Sequence, residues 1–179
     1  MKNFPFKAIN PDTGEEQTFW YSRSMAAALF VFAPNFVRKW YNPLTWFRKQ
    51  KWFVLANKRG PGCPDFIGCW CCPCGYLDYD ETLKEAAIRE CKEETGVIIP
   101  IDKVKFAEIN DDPKDSNRQN VTARFYTSLN SIVSTSNSDN EEEETSDIQW
   151  IPIKELNNYD WAFNHDRILT HILKDYLKK

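Results

Sequence analysis

The sequence predicts a mixed fold, α/β or α+β, in which short strands surround two amphipathic helices. Three observations carry this. Apolar residues Leu83, Ala86, Ala87 and Cys91 recur at helical spacing within Glu81–Thr95. A second such stripe, Ile168, Leu169, Ile172, Leu173, Tyr176 and Leu177, lies within Phe163–Leu177. Runs rich in aromatic and β-branched residues precede, separate and follow the two helices. At 179 residues the chain has the length of one domain, long enough to bury a core without disulfide or metal staples. No internal repeat or linker divides residues 1–179.

In chain order, Glu16–Ser24 and Met25–Phe32 read as strands, and Ala33–Phe47, with Pro34 and Pro43, as a loop carrying exposed rings. Twelve aromatic residues in the first 50 demand burial in the core or in an interface. Lys51–Asn57 is a short apolar run, and Arg59-Gly60-Pro61-Gly62 is a turn. Gly68–Cys72 is extended until Pro73-Cys74-Gly75 breaks it. The helix over Glu81–Thr95 ends at Gly96, placed as a C-cap glycine. Val104–Ile109 and Val121–Leu129 read as strands. The stretch 131–146 is almost wholly Ser, Asn, Asp, Glu and Thr, a solvated loop. Ile148–Ile153 is a last strand before the helix over 163–178.

Composition excludes several classes. Hydrophobic residues at 42% and charged residues at 27% rule out wholesale disorder. A net charge of −3 argues against one large basic face for DNA or RNA, though not against a small basic pocket. The apolar run Met25–Phe32 falls far short of the roughly 20 residues that span a bilayer, and Met1-Lys2-Asn3 opens no secretory signal. The expectation is a cytoplasmic chain with no membrane or DNA partner.

The chemistry concentrates in the first helix. Glu90, Glu93 and Glu94 sit at i, i+3 and i+4, within an arc of roughly 100°. Their mutual repulsion costs a few tenths of a kcal/mol per pair. A solvated acidic face tolerates that cost; a hard divalent cation uses it, because Mg²⁺ takes carboxylate oxygens together with substrate phosphates.

The surroundings decide between these. Gly75, Glu81, Arg89-Glu90, Glu93-Glu94 and Gly96-Val97 stand at the spacing G-x5-E-x7-R-E-U-x-E-E-x-G-U, where U is a bulky aliphatic. In this the sequence resembles the Nudix hydrolases. Trp70-Cys71-Cys72-Pro73-Cys74-Gly75 looks like the W-x-x-P-G-G that precedes the family's helix, and Asp147–Ile153 like the strand before its last helix. The resemblance covers about residues 50–178, with the N-terminal strands read as part of the same sheet. Two positions depart from the pattern. Cys91 replaces an aliphatic residue, a mild change because free Cys behaves as a small hydrophobe. Cys74 replaces the glycine before Gly75.

The resemblance implies an α/β/α sandwich around a mixed sheet, with an aromatic-rich N-terminal strand extension over 1–50. It implies hydrolysis of a diphosphate linked to another group, in a small-molecule nucleotide substrate. Glu90, Glu93, Glu94 and the backbone carbonyl of Cys74 would hold Mg²⁺ or Mn²⁺, and Arg89, always charged, would orient a carboxylate. Glu81 is a candidate catalytic residue; an ion-pair ladder through Glu81, Glu85 and Arg89 is the competing reading. Among Glu141, Glu142, Glu143 and Glu144 a loop base is sought, against the reading of a solvated charge run. Arg59 and Trp46 are candidate substrate-binding residues, the loop rings Trp40, Tyr41, Trp46 and Phe47 being able to stack on a base or bury in a dimer contact.

Pro113, 16 residues after Val97, and Phe163–Leu169 resemble features of the ADP-ribose-cleaving relatives. The turn Asp111–Asp115 also explains the proline. The alternatives are a nucleoside triphosphate pyrophosphatase, an RNA 5′-end pyrophosphohydrolase, and a silent nucleotide sensor. The sensor is disfavoured because it would need a DNA-binding appendage and the chain ends directly after the last helix; a non-enzymatic binding module is disfavoured because no box carboxylate is missing. A homodimer through the N-terminal strands is expected. Cys69, Cys71, Cys72 and Cys74 have C-x-x-C spacings but crowd one strand, so reduced thiols are expected and no zinc. His165 is expected on the surface or as a cap.

Overall fold

A computed structural model describes residues 4–21, 23–35, 51–114, 120–136 and 143–175. The strands are β1 (Phe4–Ile9), β2 (Glu16–Tyr21), β3 (Met25–Asn35), β4 (Lys51–Arg59), β5 (Trp70–Cys71), β6 (Cys74–Tyr76), β7 (Lys105–Asn110), β8 (Val121–Ser128) and β9 (Thr145–Pro152). The helices are α1 (Leu83–Thr95) and α2 (His165–Asp175).

The central element is β3. Its near-continuous apolar sequence suits a strand covered on both faces, and its residues alternate between two cores. Ala27, Leu29 and Val31 pack with Ala86, Ala87 and Cys91 of α1. Ala28, Phe30 and Phe32 pack with Ile168, Leu169 and Ile172 of α2. The result is the predicted α/β/α sandwich, with Cys91 filling an aliphatic position in the first core.

The seven-stranded sheet is mixed. β3 runs parallel to β8, and the other pairings are antiparallel. β3 changes neighbours along its length. Its end, Phe32–Asn35, pairs with Val54–Lys51 of β4, whereas its beginning, Ala26–Ala28, pairs with Tyr76–Cys74 of β6. Past that parting, β4 takes up β5 at Asn57 and Lys58. The divergence of β3 from β4 sets a cavity between the two sheet halves and the C-terminal half of α1.

The helix caps follow from sequence chemistry. Thr82 is the N-cap of α1 and forms a capping box with Glu85, satisfying otherwise orphaned amides. Gly96 closes the helix at φ 70°, where a Cβ would be strained and would overlap Ser136.

Several expectations need correction. β1 was not anticipated, because Pro5 interrupts a short run that reads poorly as a strand. β1 and β2 form their own two-stranded sheet instead of joining the central one. β3 continues through Ala33 and Pro34 to Asn35, so the loop begins later than expected. The 131–146 segment is not wholly solvated. Trp150 Nε1 donates to the Val133 carbonyl at 3.0 Å, the Ser136 amide to Thr95 at 3.0 Å, and Thr145 is buried in β9. The second helix starts at His165, not Phe163, because Phe163 (φ 57°) and Asn164 (φ 55°) are left-handed.

Candidate active site

A cavity of about 600 Å³ opens where β3 and β4 part. Its carboxylate wall comes from α1 and the β6 segment, through Gly75, Glu90 and Glu94. Its other walls carry Arg59 at the end of β4, Arg124 of β8, Phe66, Phe163 and His165.

Arg89 organises the α1 carboxylates. Nε and Nη2 hold both oxygens of Glu81 at 3.1 and 2.8 Å. Nη1 bridges Glu90 and Glu93, each at 2.8 Å, and Nη2 also donates to the Tyr76 carbonyl at 3.0 Å. Glu81 is thereby held below the ordinary carboxylate pKa, chiefly by the Arg89 hydrogen bonds. Glu85 takes no part. Its carboxylate accepts from the Thr82 amide at 2.8 Å, so the expected ladder divides into an Arg89 partner and a helix cap.

Glu94 is the buried member, 5% exposed. One oxygen accepts from the Cys74 amide at 3.0 Å. Burial, with the nearby Cys74 and Glu90, pushes its pKa well up, the mark of a carboxylate whose charge the protein alone does not balance. Gly75 makes room for Glu90, since a Cβ there would overlap the Glu90 carboxylate. Cys74 supplies the needed amide whatever its side chain, so its departure from glycine leaves this contact intact.

Among the described residues no three His, Cys, Asp or Glu side chains already converge on one metal position. The reason is visible: Arg89 Nη1 bridges two of the glutamates and the Cys74 amide holds the third. The donor set nevertheless suits a hard divalent cation. It is all oxygen, it carries excess negative charge, and it includes one buried carboxylate short of compensation.

Arg59 is 9% exposed and tightly placed. Nε donates to the Asp65 carbonyl at 3.0 Å and Nη2 to its carboxylate at 2.9 Å. Its guanidinium lies 5.0 Å from the centre of the Phe163 ring, a cation–π distance. Phe163 meets Phe66 edge-on at 5.0 Å, and Phe66 also has positive φ, 51°. Bulky residues in left-handed backbone mark strain concentrated at this wall.

Glu144 lines the cavity, and the backbone before β9 docks on the turn after β4. The Gly60 amide donates to Glu144 and the Gly62 amide to Glu143, both at 2.7 Å. A Cβ at Gly60 would overlap the Glu143 backbone, which explains the glycine. Glu141, Glu142, Trp46 and the rings Trp40, Tyr41 and Phe47 lie outside the described residues. Pro113 occupies a turn after β7, stabilised by the Asp112 amide donating to Asn110 at 3.3 Å.

His165 is not on the surface. It is 3% exposed, and its Nδ1 accepts from the Cys72 amide at 3.0 Å. Arg124, tied to Glu108 at 2.7 Å, brings a second guanidinium to the cavity. Sequence reasoning passed over Arg124, which belongs to no local motif, and read Phe163 only as the first residue of the Phe163–Leu169 resemblance; the fold brings both to one cavity. The cysteines divide as alternation predicts. Cys72 sits in the α2 core, whereas the Cys71 thiol faces the Asn57 side chain at 3.5 Å.

An oxygen-rich helix faces a cationic, aromatic wall across the cavity, an arrangement suited to a cation on one side and an anion on the other. A family model of the NUDIX domain matches residues 44–172, and the chain belongs to that family. It is 28% identical over 131 residues to an ADP-ribose pyrophosphatase of Methanocaldococcus jannaschii, covering 73% of this chain and 68% of that one. Its fold is similar to the NUDIX domain of Shewanella oneidensis NrtR complexed with ADP ribose (TM-score 0.69, 20% identity, 88% and 90% of the two chains). It is also similar to a bifunctional NMN adenylyltransferase/ADP ribose pyrophosphatase from Francisella tularensis, complexed with AMP and a Mn ion (TM-score 0.64, 18% identity, 86% and 42%).

Proposed function

We propose that this Nudix pyrophosphohydrolase cleaves the diphosphate of an ADP-sugar, with ADP-ribose the best substrate, and that it depends on Mg²⁺ or Mn²⁺. The observation that carries the reading is the opposition, across one cavity, of the Glu90 and Glu94 carboxylates and the Arg59–Phe163–Phe66 wall. The similarity to an ADP-ribose pyrophosphatase and the Pro113 and Phe163–Leu169 resemblances support the substrate.

In this reading Glu90, Glu93, Glu94 and the Cys74 carbonyl hold the cation. Once bound, it neutralises phosphoryl charge and lowers the pKa of a water. Arg89 keeps Glu90 and Glu93 aligned and does not act as a base, because it stays charged. Arg59, fixed by Asp65, supplies a guanidinium to the diphosphate. Glu144, which lines the cavity, is our choice within the acidic loop for the base that accepts a proton from the attacking water, and Glu81, engaged by Arg89, is assigned a positioning role. The detached β1–β2 sheet suits a subunit-pairing arm, and light scattering after gel filtration tests for the dimer.

The substrate test is kcat/KM for ADP-ribose, NADH, diadenosine polyphosphates, nucleoside triphosphates and 5′-triphosphate RNA under one set of Mg²⁺ conditions. ADP-ribose is expected to lead. A nucleoside triphosphate ahead by more than about tenfold, some 1.4 kcal/mol of transition-state preference, would replace this reading with that of a triphosphate pyrophosphatase.

A further inference from the structure

His165 has one nitrogen committed and one available. Nδ1 accepts the Cys72 amide hydrogen. A neutral imidazole that accepts at Nδ1 carries its proton on Nε2, so the tautomer is set by the backbone of the strand beside it. The ring is 3% exposed and lines the cavity. Among the described residues no buried side-chain nitrogen or oxygen lacks a hydrogen-bond partner, and no protein group bonds Nε2. The remaining exposure of the ring therefore leaves Nε2–H open to the cavity.

The surroundings say what such a donor meets. Phe30, at 5.3 Å, and Phe163, at 5.6 Å between ring centres, hem the imidazole with apolar faces. Arg59 and Arg124 line the same cavity, each 9% exposed. Burial, then the charges of Arg124 and Arg59, lower the His165 pKa to about 3, so the ring is neutral at physiological pH and serves as a donor, not a base. A positive potential that opposes protonation of this imidazole attracts an anion to the same place. Arg59 contributes a further donor, since Nε and Nη2 bind Asp65 while Nη1 has no hydrogen-bond partner among the described residues. The left-handed Phe163 and Asn164 immediately precede this histidine, so the strained backbone fixes both the ring over Arg59 and the imidazole beside it.

We propose that His165 is a substrate-binding residue, its Nε2–H donating with Arg59 Nη1 to phosphoryl oxygens of the diphosphate seated in the cavity. The proposal rests on the diphosphate reading of the site and names a specificity residue for it. A hydrogen bond from a neutral ring to an anionic oxygen is worth about a 10- to 100-fold change in affinity.

The experiment uses the full chain labelled with ¹⁵N-histidine, which reports only His165 and His171. At neutral pH His165 is expected as the Nε2–H tautomer. Adding the non-hydrolysable analogue α,β-methylene-ADP, in chelator, should shift its Nε2 and leave His171 unmoved. His165→Asn keeps an acceptor for the Cys72 amide and loses the distal donor, so KM for the preferred diphosphate should rise by about 10- to 100-fold with a smaller change in kcat. His165→Gln, which restores a donor near the Nε2 position, should recover most of that loss. Should the Asn variant fold poorly, the wild-type titration and the Gln variant still decide. An Nε2 resonance unmoved at saturating analogue, or an Asn variant with unchanged KM, overturns the proposal. Failure of the diphosphate reading shows separately, as a wild-type protein that cleaves none of the diphosphates offered.

Discussion

The two walls of the cavity are built in opposite ways. The carboxylate wall comes from one contiguous stretch, Gly75 to Glu94, aligned by a helix and tied together by one arginine. The donor wall draws Arg59, Phe66, Arg124, Phe163 and His165 from three separate segments, joined only when β3 and β4 part and α2 closes the second face. The first wall is chemically strained, with like charges gathered and Glu94 buried. The second is conformationally strained, with bulky residues at positive φ. On the proposed reading, in which the site holds a cation and an anion together, its costs are divided between electrostatics and backbone.

Disturbing the carboxylate wall should have the largest effect. Glu93→Gln or Glu94→Gln is expected to lower kcat by at least ~10²-fold with the fold intact, measured at saturating Mg²⁺; near wild-type rates in both would remove the metal assignment. Gly75→Ala acts on the same wall by geometry. The new Cβ displaces the Glu90 carboxylate and should cost about tenfold in kcat, with little change in melting temperature because a side-chain end yields first. Changing Glu141, Glu142, Glu143 and Glu144 together to Gln should cut turnover severalfold while hardly moving the melting temperature. An unchanged rate would return the search for the base to Glu81, Glu90 and Glu93.

The donor wall should answer to pH instead. The folded value of about 3 for His165 lies below its ordinary 6.5, so the unfolded chain binds that proton more tightly. Its contribution to stability is full above pH 6.5 and is lost as pH falls toward 3, with a slope approaching one proton, about 1.4 kcal/mol per pH unit. Denaturant titrations of wild type and His165→Asn between pH 4 and 7 should differ by that slope; parallel curves would contradict the buried neutral histidine. The smallest effect concerns the thiols. Protein purified without chelator should carry well under one zinc per chain.

This contrast explains what the sequence revealed. The α1 glutamates, Arg89 and Gly96 were legible because helix geometry converts spacing directly into a shared face. Glu81 and Glu85 looked equivalent by charge and parted only when the capping box engaged Glu85. His165 looked like a surface residue on its helix, since nothing nearby in sequence announces the Cys72 amide 93 positions away. Arg124 reads as an ordinary strand residue until the parallel pairing of β8 with β3 brings it to the cavity. Pro34 suggested a loop, yet β3 carries it to its end beside Trp52.

The central claim is that Glu94 is buried to meet a cation, and its most direct test is thermal melting of wild type and Glu94→Gln, each in chelator and in Mg²⁺. Without metal the Gln variant should be the more stable, because burial raises the Glu94 pKa, and at neutral pH folding must either protonate that carboxylate or bury its charge, a cost that Gln does not carry. Mg²⁺ should then raise the wild-type melting temperature by several degrees and leave the variant nearly unchanged. A wild-type protein indifferent to Mg²⁺, with a variant that melts lower in both conditions, would contradict the account.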